Sequence, residues 1–199
     1  MANIATSETN KFVGISALKV VKGGFSTGFT LASGAELTEI PVAEDGGFTY
    51  TGGEPSIEHY KIHGLSADWT SRTTPGETQI NLFVPSITSS LLTLFGFAVK
   101  EVGTGTDKIT APTGFGEGVT VSGGFAFQES ALAVKLGIVA FNDEGTKAFA
   151  IKEAKLTATI VFDEANSAKP IGISLTGSTS AGGDTDAMGI FELASASSE

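Results

Sequence analysis

Between Pro75 and Phe97 the sequence PGETQINLFVPSITSSLLTLFGF changes periodicity once, and that change limits what the chain can fold into. Thr78, Ile80, Leu82 and Val84 fall on one face while Glu77, Gln79 and Asn81 fall on the other, the two-residue period of a strand with one buried side. Pro85 has no N–H to give a ladder and ends the strand. Ser86 is then placed as an N-cap, its hydroxyl able to accept from the free amides of the next turn. Ile87, Leu91, Leu92, Leu94 and Phe95 form one broad apolar face, and Gly96 stands where a helix end wants a left-handed residue. A helix of about two to three turns this apolar needs a sheet to cover. The rest of the chain reads as that sheet.

Phe12 to Lys22 alternates as a first strand ended by Gly23-Gly24, and Phe25–Leu31 and Ala35–Pro41 follow around a tight turn at Ser33-Gly34. Val42 to Pro55 is rich in Gly and acids. It reads as a long excursion with a short central strand around Phe48–Thr51, and either as a surface loop or as an arm, the second because Phe48 and Tyr50 are apolar groups that a free loop has no reason to expose. Ser56 to His63 is a strand, with Leu65 to Arg72 returning antiparallel to it. After the helix, Ala98 to Pro112 and the glycines 114, 116 and 118 read as turns, because P-loop spacing and a strand–helix context are missing. The second half is nearly continuous strand: Val119–Gln128, Ala131–Asn142, Thr146–Lys152, Lys155–Asp163, Ile171–Leu175 and Ala187–Leu193. Leu132, Val134, Leu136, Ile138 and Ala140 share a face, and Asn142-Asp-Glu-Gly145 is a hairpin turn. Such spacing predicts a mainly β chain, an antiparallel, barrel-like β-sandwich with one short helix packed on it and a long projecting loop. No linker divides it: 1–11 is an N-terminal extension, 12–193 a single domain and 194–199 a C-terminal tail.

Charge and composition narrow the function. A formal net charge of −10 is the wrong sign for holding nucleic acid, which needs a basic footprint. The count of cysteines is 0, which removes disulfides and thiolate metal sites. Met1 to Asn10 has neither a basic patch nor an apolar run, so no secretory signal is expected, and Leu91–Val99 is too short to span a bilayer as a helix, so no membrane insertion is expected.

No catalytic constellation stands out, and neither an enzyme nor a cofactor is expected. His59 and His63 on a strand lie more than about 10 Å apart, at about 3.3 Å per residue, without a nearby third ligand; two exposed strand histidines account for them better than a metal site. Ser86–Ser90 lacks the Gly-x-Ser-x-Gly context of a nucleophile elbow. Glu36 and Glu39 fit a wet strand face, and Trp69 suits either a sugar platform or a subunit anchor.

An acidic long loop in the first half, a helix after Ile80-Asn-Leu-Phe-Val-Pro85, a late strand Ala154-Lys-Leu-Thr-Ala158 and a closing strand Ile173-Ser-Leu-Thr-Gly177 together resemble the tail tube (major tail) proteins of long-tailed bacteriophages, a group shared with contractile tails and injection machines. The likeness runs over about Phe12 to Leu193, in pattern more than in identities. It implies a structural virion protein, made in the bacterial host cytoplasm, whose copies form six-fold rings stacked head to tail into an acidic conduit for passing DNA. Tape-measure, tail terminator and baseplate proteins are the further partners it implies. Carried onto this sequence, the inter-ring arm falls on Val42–Pro55 with Asp45, Phe48, Tyr50 and Glu54, and Glu58 and Glu77 are lumen acids. Ala2–Lys11 and Ala194–Glu199 are weaker stacking elements. The alternative is a carbohydrate-binding surface sandwich, against which the scarcity of Trp and Tyr counts.

Overall fold

The computed structural model describes residues 14–43, 47–60, 63, 70–74, 76–162, 171–180 and 186–194. Expectations that fall on the 1–11 extension, Phe12, Asp45, Trp69, residues 163–170 and most of the tail lie outside the described residues.

A long hairpin forms the centre of the fold. β9 (Val134–Phe141) and β10 (Lys147–Val161) pair antiparallel. Their turn is fixed by Asn142, a buried side chain with both polar ends used: Oδ1 accepts from the Lys147 amide at 2.8 Å and Nδ2 donates to Thr146 Oγ1 at 3.1 Å. Gly145 closes it in the left-handed region, φ 66°, as the sequence predicts. β1 (Ala17–Lys22) pairs along β9, and β2 (Thr38–Ile40) lies outside β1. The other edge of β10 carries two strands in succession. Its first part pairs with β12 (Met188–Glu192) and its second with β11 (Gly172–Thr179), which continues to β6 (Gln79–Val84) and β3 (Phe48–Thr51). Every pairing in this large sheet is antiparallel.

The sheet curls over itself. Leu18 and Ile40 near one end share a buried cluster with Ile80 and Leu82 near the other, and the ring of Tyr50 on β3 lies 5.6 Å from that of Phe149 on β10. The result is sandwich-like and barrel-like, and unclosed: among the described residues the outer edges of β3 and β12 are unpaired. The alternation expected for 78–84 holds, with Ile80, Leu82 and Val84 buried. Thr146–Lys152 and Lys155–Asp163, expected as two strands, are one continuous strand whose register slips between Ile151 and Ala154, because a bulge turns a strand without ending it.

The helix is present and shorter than expected. α1 (Ser89–Leu94) is capped by Thr88, whose Oγ1 accepts from the Leu91 amide at 3.2 Å, and not by Ser86. Leu92 and Phe95 are buried beneath it, and Gly96 turns the chain out at φ 88°. A Cβ on Gly96 would stand 2.4 Å from the Leu132 carbonyl oxygen, so conformation and space both require glycine.

Three other expectations need correction. Phe25–Leu31 is not a strand: Thr27–Phe29 is a 3-10 turn in which Gly28 and Phe29 both have positive φ, which no pleated strand accommodates. Val119–Gln128 yields only β8 (Phe125–Phe127), preceded by Gly124 at φ 134° and paired with β7 (Val99–Glu101) in a small sheet of its own. Leu132 does not join the buried row of Val134, Leu136, Ile138 and Ala140; it lies before β9 begins and is 76% exposed.

Leu92→Ala should therefore destabilise the protein by about 2–5 kcal/mol through the cavity it leaves. Leu132→Ala should stay within about 0.5 kcal/mol of the parent. Denaturant unfolding of the two variants measures both; equal losses would mean that the core boundary lies elsewhere.

Candidate functional site

Two strands stand apart from the large sheet. β4 (Ser56–Tyr60) and β5 (Thr70–Thr74) pair with each other, from Ser56↔Thr74 to Tyr60↔Thr70, and among the described residues with no other strand. Every residue of both strands is exposed. Alternation puts Ile57, His59, Ser71 and Thr73 on one face and Ser56, Glu58, Tyr60, Thr70, Arg72 and Thr74 on the other. Glu58 stands opposite Arg72 and accepts from the Tyr60 hydroxyl at 2.8 Å. That bond holds the phenolic proton and raises the Tyr60 pKa above its ordinary value. A lone two-stranded hairpin is marginal in water, so a hairpin with both faces bare is an element without its cover.

The hairpin leaves the fold through a glycine neck. A Cβ on Gly53 would come 2.2 Å from the Gly76 carbonyl carbon, and one on Gly76 would come 2.2 Å from the Glu54 carbonyl oxygen. The outgoing and returning backbones thus touch where the hairpin departs, a close approach that only residues without side chains allow.

The residues expected in an arm at Val42–Pro55 fall on different parts of the fold. Asp45 lies outside the described residues. Phe48 and Tyr50 are not uncovered anchors: they sit on β3, paired to Leu82 and Ile80, and pack half-buried against the core. Their apolar character serves this chain's own sandwich, and the period-two pattern FTYT is the signal for that. Glu54 is exposed at the neck, Glu58 is on β4, and Glu77 is exposed just past the neck on the way to β6. Among the described residues, the strands that stand apart from the large sheet are β4 and β5, between Gly53 and Gly76; Glu58 is on β4 and Glu77 follows Gly76.

A second polar constellation lies at the bulge of β10. Lys152 Nζ is 3.0 Å from Asp186 Oδ1, and the Gly28 amide donates to Asp186 Oδ2 at 3.0 Å. The Lys152 amide donates to the Ala187 carbonyl at 2.9 Å and its carbonyl accepts from the Phe25 amide at 2.9 Å. One residue further, the Glu153 carboxylate accepts from the Ser180 hydroxyl and pairs with Lys135 at 2.9 Å. Hydrogen bonding from the Gly28 amide first, and then from Lys152, lowers the Asp186 pKa below 3.8; the Ser180 hydroxyl and then Lys135 lower that of Glu153. These groups tie the start of β12 and the end of β11 to the bulge. Their role is structural.

Near α1 an open depression of about 570 Å³ is lined by Ser89, Ser90, Thr93 and Glu101, with Ser89 donating to Glu101 at 3.3 Å and Lys108 3.8 Å from the same carboxylate. Among the described residues no three His, Asp or Glu side chains gather as metal ligands, and no helix is long and apolar enough to cross a membrane. No protein-family model matches the chain, and no curated protein matches it significantly in sequence.

The Asp186 and Glu153 pKa values are depressed in the folded state, so their contribution to stability is complete above the unfolded carboxylate range, near about 4, and is lost as pH falls through the depressed values. Thermal midpoints followed from pH 6 to 2.5 should drop in the acid range, and Asp186→Asn should flatten part of that drop. An unchanged acid slope in the variant would show that the Asp186 contacts do not hold β12.

Proposed function

We propose that the chain is a structural subunit that assembles with copies of itself into stacked rings, forming a tube of the bacteriophage tail type that conducts DNA without binding it. The observation that carries this reading is the β4–β5 hairpin: two paired, exposed strands, Thr-rich in β5, that pair with no other strand among the described residues. An element of this kind suits the role of an arm that completes itself on a neighbouring subunit. The unpaired outer edges of β3 and β12 give the sandwich places where a neighbour's strands extend its sheet. A net charge of −10 suits the wall of a DNA duct, because like charges leave the polymer no adhesive site.

The resemblance in sequence pattern supplies the six-fold ring, head-to-tail stacking, the virion tail as location, and tape-measure, terminator and baseplate proteins as partners. A heterologous contact of this kind need not close, and when it does not it generates a filament. In this reading Glu58 on the arm and Glu77 just past its neck are the acids that face the duct. The competing reading, a carbohydrate-binding sandwich, has no specific support among the described aromatic groups: Tyr50 packs on Phe149, and Tyr60 is engaged by Glu58.

Negative-stain microscopy of the concentrated protein is expected to show rings or tubes. Excising residues 54–75 and joining Gly53 to Gly76, which already touch, should leave the thermal midpoint within a few degrees of the parent and abolish stacking. Tubes of normal length from the excised protein would remove the hairpin from the assembly, and steady monomers of the parent at every concentration would remove the tube.

A further inference from the structure

One cross-strand row shows where the sandwich is unfinished. Ile40, Leu18, Ala140, Phe149 and Ile190 stand side by side across β2, β1, β9, β10 and β12, all on the core-facing side. The first three are buried, Phe149 is half-buried, and Ile190 is 67% exposed. The covering layer ends at β3 and does not reach β12. Between those two strands lies an open groove of about 310 Å³, lined by Ile15, Phe48, Tyr50, Ala140, Phe149 and Ile190. None of these side chains carries a charge, and the strand edges on both sides of the groove are unpaired among the described residues.

We infer that this groove is the receptor for the β4–β5 hairpin of a second copy, with Ile57 as the side chain that enters it. The inference rests on the self-assembly reading above and adds to it the surface on which the arm lands. Three observations select that occupant. The described strands of the hairpin and the groove are different patches: none of their residues lines it. Ile57 is 53% exposed and is the aliphatic group on a hairpin face otherwise made of His59, Ser71 and Thr73. Charge selects as well: a chain at −10 repels its copies over most of its surface, but the described strands of the hairpin balance Glu58 against Arg72 and the groove is uncharged. Contact between those described strands and the groove lining brings no like charges together. Because groove and hairpin are different patches, each copy can give one and receive one, and the contact propagates.

The absence of cysteine makes the test direct. Ile57→Cys and Ile190→Cys are made as separate full-length variants, both at exposed positions. They are mixed under assembly conditions with a short bis-maleimide crosslinker, and Leu132→Cys, exposed elsewhere, replaces Ile190→Cys as the control. Microscopy of each mixture reports assembly independently. The expected result is tubes together with covalent dimers from the 57–190 mixture, at least tenfold above the 57–132 control. Tubes without 57–190 dimers above control would overturn this receptor while leaving the tube reading in place. Failure of the parent protein to assemble would overturn both.

Discussion

The fold depends on a strand that changes partners without breaking. β10 runs 15 residues, pairs with β9 on one edge, and on the other hands over from β12 to β11 at a bulge. A flat sheet could not bring β2 and β6 onto one core; the register slip between Ile151 and Ala154 puts a local twist into the middle of the sheet, where it helps the two ends meet. The handover leaves several backbone groups without ladder partners, and the molecule satisfies them individually. Ala187, Phe25 and Ser180 reach the bulge through main-chain hydrogen bonds, while Asp186 and Lys135 reach it through charge. The polar bonds matter here because buried backbone groups left unmatched are costly.

Much of this was legible in the chain, and the exceptions have physical causes. Alternation identified β6, β9 and β11, because a strand with one buried face writes its period directly into the sequence. The continuity of β10 was not legible: Glu153 and Ala154 break the alternation in the same way a turn would, and only pairing separates a bulge from a turn. Phe25–Leu31 looked extended because its phenylalanines are real packing groups. They stack on the outside of the sheet, Phe29 against Phe191 at 5.1 Å, from a turn and not a strand. The helix cap moved from Ser86 to Thr88 because both residues can cap and only the depth of packing chooses between them.

The candidate site was half legible. An extended hairpin over Ser56–Arg72 was readable, but its isolation was not, since exposure on both faces is a property of what fails to pack on it. Phe48 and Tyr50 were assigned to a projection on the argument that apolar groups need cover. The short strand expected around Phe48–Thr51 is β3, and β6 and β10 of the same chain cover its two aromatics. With those two aromatics in the sandwich, Ile57 and Ile190 remain among the exposed large apolar side chains.

The glycine neck has a thermodynamic consequence. Gly53 and Gly76 bring the two ends of the hairpin together at a close backbone approach, and none of the residues of β4 and β5 is buried against the sandwich core. The sandwich holds its shape through a continuous core, whereas the hairpin's order is a separate local equilibrium, biased by whatever binds it. Under the proposed assembly, a chain built this way would be a folded monomer that defers the ordering of one segment until a neighbour arrives, so that association, and not synthesis, would complete its folding.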